Sequence, residues 1–131
     1  MKYSLLIAIY FLSCASVATT LPSSLLNQVT DLENQGKISE ALTILEQYKD
    51  HNSTSSTYDV AMAQAPLLRK KGHYNEAIEL LLPLQKIANL SKEDQYQIQK
   101  ELGINYRRQV KTIEAKKHYM AALALANELE D

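Results

Sequence analysis

One phrase occurs three times and limits what this chain can fold into: GKISEALTIL from Gly36 to Leu45, GHYNEAIELL from Gly72 to Leu81, and IEAKKHYMAAL from Ile113 to Leu123. Aligned on the Glu-Ala pair, Ala41, Ala77 and Ala115 stand 36 and 38 residues apart, a spacing in the range of stacked helical hairpins. The apolar residues of each phrase keep helical period. Ile38, Ala41, Leu42, Leu45 and Tyr48 share one face, as do Tyr74, Ala77, Ile78, Leu81 and Leu84.

A second apolar-periodic segment precedes each phrase: Leu25, Leu26, Val29 and Leu32, then Val60, Ala61, Ala65 and Leu68, then Ile98, Leu102, Ile104 and Tyr106. Gly36 and Gly72 end the first two of these, where a helix commonly stops on a residue that takes a left-handed conformation freely. The unit is therefore helix, tight turn, helix. Helices crossing at about 8 to 10 Å need a small side chain where their backbones come closest, which gives the alanine its role. The Glu before it lies in the first turn, at the positive end of the helix dipole.

The rest of the composition agrees. The chain has 131 residues, one domain's worth, with only 3 glycines and 3 prolines and no alternating β-branched runs, so it is predicted to be all-α. A net charge of −1 argues against nucleic acid or an anionic surface as partner. HNSTSST, residues 51–57, reads as a polar loop between units. Ser56 with Asp59 and Ser91 with Asp94 have the spacing of a capping box. Asn52-Ser53-Thr54 and Asn89-Leu90-Ser91 match the glycosylation triplet, which is frequent by chance. Pro66 and Pro83 are expected inside helices of the middle unit, where they would bend it.

With these residues in place, the chain resembles the tetratricopeptide repeat family over Leu21 to Asn127. In the third unit Leu102, Gly103, Tyr106, Ala115, Tyr119, Ala122 and Leu123 fall in the family's order. The first unit matches at Gly36, Ala41 and Leu45, and the second at Gly72, Tyr74, Ala77 and Leu81. The chain departs from the pattern in having no tryptophan, Val110 in place of the third turn glycine, and Asn127 where a closing proline is common. The resemblance implies a right-handed superhelical stack of about three hairpins, with units near 22–50, 57–90 and 92–127. It also implies a concave surface, lined by the first helix of each unit, that holds a peptide or partner helix.

The opening segment, MKYSLLIAIYFLSCASVATT, has a lysine, a short apolar run and then small residues, the layout of a signal peptide spanning residues 1–18 and cut after Ala18. The repeat domain then covers residues 19–131. A rival reading takes Phe11-Leu12-Ser13-Cys14 as a lipobox with Cys14 lipidated, the one case in which a membrane is expected to hold the protein. Cys14 is the sole cysteine, so an internal disulfide is excluded.

Candidate chemistry is sparse. His51, His73 and His118 lack neighbours at ligand spacing, no phosphate-cradling glycine loop or nucleophile elbow is present, and acidic pairs lie near helix ends, so no enzyme, metal or cofactor is expected. Tyr48, Tyr74, Tyr106 and Tyr119 fall on apolar faces and read as packing residues.

The basic residues are more pointed. Under the resemblance, Met62, Arg69, Lys70, Lys100, Ile104, Arg107 and Arg108 face the concave groove and attract a protein or peptide, acidic in character. The alternative is that cations in a last helical turn complement the dipole. In the final helix Leu123, Leu125 and Leu129 add apolar area with no following helix to cover it, which predicts self-association or partner docking there. The expected function is an interaction scaffold of the bacterial envelope. A lipid-anchored assembly factor for pili, secretins or outer-membrane machinery and an accessory subunit of a cell-wall enzyme are the alternatives.

Overall fold

The computed structural model describes residues 21–51 and 57–130. Cys14, the Ala18 site, Ser56 and the Asn52-Ser53-Thr54 triplet lie outside the described residues. Helices α1 (Ser23–Asn34), α2 (Ile38–His51), α3 (Thr57–Lys70) and α4 (Tyr74–Leu81) come first. A 3-10 turn (Leu82–Lys86), α5 (Lys92–Arg108) and α6 (Thr112–Glu130) follow. Among the described residues there is no strand, and the chain is all-α as the composition predicts.

The helices pair as α1–α2, α3–α4 and α5–α6, and their three turns are built alike. In the first, the Gly36 N–H donates to the Glu33 carbonyl at 3.0 Å and the Lys37 N–H to Leu32 at 2.8 Å. Gly72 and His73 repeat this toward Arg69 and Leu68, both at 2.9 Å, and Val110 and Lys111 toward Arg107 and Tyr106, again at 2.9 Å. This is the paired Schellman pattern, which satisfies the last carbonyls of the ending helix. It requires a left-handed residue at its centre, and Gly36, Gly72 and Val110 have φ of 75°, 79° and 61°. Glycine adopts that conformation freely, whereas a β-branched side chain is strained in it.

Five residues after each of these lies the repeated alanine. Ala41 and Ala77 are wholly buried and Ala115 nearly so. The core runs through the units in two patches. Leu21, Val29, Ala41, Leu45, Val60 and Leu67 form the first; Ala61, Ala65, Ile78, Leu81, Leu84, Ile98 and Leu102 form the second. Helix α3 belongs to both, sending Val60 and Leu67 toward the first hairpin and Ala61 and Ala65 toward the others. The hairpins are thereby joined in series.

The prolines differ from expectation in one respect. Pro66 lies inside α3, which runs unbroken from Thr57 to Lys70. Pro83 is not inside an α-helix: α4 ends at Leu81 and the chain tightens into the 3-10 turn, with proline in its first turn, where its missing N–H has no intrahelical acceptor to lose. The second hairpin therefore has a short second helix. The next one starts cleanly, since the Ser91 hydroxyl accepts the Asp94 N–H at 3.1 Å. The Asp94 carboxylate accepts from the Tyr58 hydroxyl at 3.0 Å rather than turning back to Ser91.

The two helices of the third hairpin approach closely at Gly103. A Cβ there would lie 2.7 Å from Cδ1 of the Tyr119 ring. Gly103→Ala is expected to lower stability by about 1 kcal/mol, since displacing a packed ring outweighs the gain in helix propensity. In a Tyr119→Ala background the same change should instead add about 1 kcal/mol, the propensity gain alone. Urea unfolding of the four proteins checks both signs.

Candidate interaction surface

The basic residues at the helix C-termini do not form one open patch. Arg69 sits within 3.4 Å of both carboxylate oxygens of Glu101, joining α3 to α5 across neighbouring hairpins, and both partners are largely covered. Lys70 forms an ion pair with Glu33 of α1. Lys71 donates to the Ser39 hydroxyl at 3.0 Å. Lys100 stands over the Tyr96 ring, 5.5 Å from its centroid. Neither explanation read from the sequence, dipole complementarity or a ligand groove, includes these ties between hairpins. Met62 is half-buried against the second core patch and Ile104 is half-buried on α5. Arg107 and Arg108 are exposed, and no ion pair to either is found among the described residues.

The joints between hairpins follow a rule. At the first joint, Glu33 at the third position before the turn residue Gly36 pairs with Lys70, and Ser39, three residues after Gly36, accepts from Lys71. At the second, Arg69, three before Gly72, pairs with Glu101, and Asn75, three after Gly72, accepts from the Gln109 amide. Leu45 and Leu81, each nine residues after its turn glycine, are wholly buried at these joints. Cross-joint hydrogen bonds add to them: Gln64 donates to Glu46 at 2.9 Å and Gln99 to Gln85 at 2.8 Å.

A buried polar network was not legible in the sequence. His118 is buried and stacks on Tyr106, ring centroids 5.3 Å apart, with Nδ1 2.7 Å from Gln99 Oε1. With Gln99 donating from Nε2 to Gln85, the oxygen facing His118 accepts, so Nδ1 carries the proton. Burial first, and Lys117 second, hold the imidazole below its ordinary pKa. Folded His118 stays neutral where the unfolded chain takes up a proton, so its contribution to stability is present above the unfolded value of about 6.5 and falls as pH drops through that range. Urea midpoints at pH 7.5 and 5 should show this acid loss in the parent and a smaller one in His118→Gln. Asp59 shifts the other way, its carboxyl raised by burial and by Asp94. Nearby, burial and the bond to Asp94 raise the Tyr58 hydroxyl well above its ordinary pKa.

A groove of about 540 Å³ between α6 and the 3-10 turn is lined by Gln85, Gln95, Gln99, Leu90, Ile98 and Leu125 among others, none of them titratable. Among the described residues no group of three or more His, Cys, Asp or Glu is placed to hold a metal ion, and no helix is long and apolar enough to cross a membrane.

The last helix differs from expectation. Leu125 is half-buried and lines that groove. Leu123 and Leu129 are exposed as expected, and Val110, Ile113 and Met120 of the same hairpin are exposed as well. Helical period alone could have separated Leu123 from Leu125, but not which flank lines that groove. No family model, curated protein or solved structure matches this chain.

Proposed function

We propose that the chain is a non-enzymatic protein-interaction scaffold of the bacterial cell envelope, a tetratricopeptide-like right-handed stack exported by its leader. The observation carrying this reading is the threefold recurrence of one turn with one buried alanine, in a chain whose joints consist of packing and polar ties rather than reactive groups. Such a stack offers a long surface on its first helices, where apolar contacts supply most of the binding energy and charges supply orientation. Because Arg69 and Lys70 are engaged between hairpins, Ile104, Arg108 and Met62 are the concave-face residues on which partner binding rests, with Lys100 and Arg107 at the edge.

Crosslinking pull-down from the native envelope tests this. Ile104→Asp with Arg108→Glu should reduce capture of the partner, and unchanged capture would remove the concave face from the account. Mass spectrometry of the mature protein reports the route of export. A chain beginning at Thr19 fits a soluble scaffold, and a diacylated Cys14 makes it a membrane-anchored one.

A further inference from the structure

The joint rule has a third term with nothing opposite it among the described residues. Arg107 stands three residues before Val110, as Glu33 and Arg69 stand before their glycines, and no ion pair to it is found among the described residues. Ile113 occupies the position held by Ser39 and Asn75 and is 84% exposed. Tyr119 occupies the place of the wholly buried Leu45 and Leu81 and is only half-buried. Between them lies a groove of about 360 Å³ lined by Arg107, Thr112, Ala115, Lys116, Tyr119 and Met120. Its floor continues onto exposed Met120 and Leu123. On α5 the stripe Tyr96, Lys100, Gly103 and Arg107 keeps helical spacing, with Gly103 against Tyr119, so that Lys100, Arg107 and Lys116 surround apolar surface.

We infer that this end of the stack is a docking site for an amphipathic helix of another protein, one with an apolar stripe and a carboxylate that pairs with Arg107. The charge is what selects the occupant. At the earlier joints the corresponding residues meet the opposite charge on the arriving helix: Glu33 meets Lys70, and Arg69 meets Glu101. An arriving helix at the third position therefore supplies an acid, and the cations Lys100 and Lys116 reinforce that preference. A second copy docking through the same surface would bring Arg107 and Lys116 against like charges, which makes self-association the weaker occupant. The polar Lys116, in place of Leu42 and Ile78, keeps the free end solvated until the helix arrives. This site shares Lys100 and Arg107 with the edge of the concave face but is otherwise distinct from that reading: its apolar surface is Met120, Leu123 and Tyr119, whereas that reading depends on Ile104, Arg108 and Met62.

The test uses the purified protein and a synthetic capped peptide of residues 92–108, the helix that covers the corresponding face of the second hairpin and carries Glu101. Amide and methyl NMR shifts should saturate at Ile113, Lys116, Tyr119, Met120 and Leu123. Arg107→Glu should weaken binding about tenfold, and a peptide with Glu101→Arg should recover most of that loss against the Arg107→Glu protein. Leu123→Lys should abolish the shifts in a protein that remains folded. Three results would overturn the inference: no shifts at this face, shifts at Ile78 and Leu81 showing that the peptide displaces α5, or equal affinity for Arg107→Glu. Concentration-dependent shifts at Met120 and Leu123 without peptide would also overturn it, giving the face to a second copy.

Discussion

Ala77→Leu is expected to lower unfolding free energy by about 3 kcal/mol, because the residue is wholly buried where the second hairpin closes and the added atoms have no room there. Leucine and alanine are both good helix formers, so propensity explains almost none of such a loss. The added atoms have to push two helices apart or force side chains off their rotamers. The control is Ala124→Leu on an exposed stretch of α6, which should stay within about 0.5 kcal/mol of the parent. Chemical denaturation of both variants decides. Equal effects would mean that the alanine is not at a close helix approach.

Exchanging the turn residues should move stability in opposite directions. Val110 holds a left-handed φ of 61° while 83% exposed, so its side chain gains little from burial and carries the strain of a β-branched residue in that region. Relief of about 2 kcal/mol in Val110→Gly is partly offset by about 1 kcal/mol from glycine's greater freedom in the unfolded chain. The net gain of about 1 kcal/mol corresponds to a rise in Tm of about 4 °C. Gly72→Val imposes the same strain of about 2 kcal/mol on a turn at φ 79°, offset by about 1 kcal/mol from the lost freedom of the unfolded chain, and should cost about 1 kcal/mol, even though a Cβ there meets no atom within 4 Å. Calorimetry of the pair separates backbone strain from packing, since neither site is crowded.

Much of this architecture is legible in the residues because it is local. A glycine or its substitute at the turn, and an alanine five residues later, are decided by backbone conformation and by one helix-to-helix distance within a single unit, so Gly36, Gly72, Ala41, Ala77 and Ala115 are recognisable by spacing alone. The ties between units are not. Arg69–Glu101, Asn75–Gln109 and Ser39–Lys71 depend on how one hairpin sits on the next, and cations at helix ends look the same whether they meet a dipole, a ligand or a neighbouring carboxylate. His118 reads as a lone histidine, yet its burial under Tyr106 and its bond to Gln99 involve two helices. The final helix shows the same limit. Leucines can be counted along it, but Leu125 is half-buried in the groove beside the 3-10 turn while Ile113, Met120 and Leu123 are exposed. Proline chemistry was half legible: Pro83 does disturb the second unit, by ending α4 rather than bending it.

Residue-resolved amide hydrogen exchange tests the threefold recurrence most directly. Slow exchange is predicted at three pairs of neighbouring amides, Gly36 with Lys37, Gly72 with His73, and Val110 with Lys111, because each pair is hydrogen-bonded back into the helix it follows. Protection at the first two pairs with free exchange at Val110 and Lys111 would contradict it, leaving the third hairpin with a different turn and the open end without its precedent.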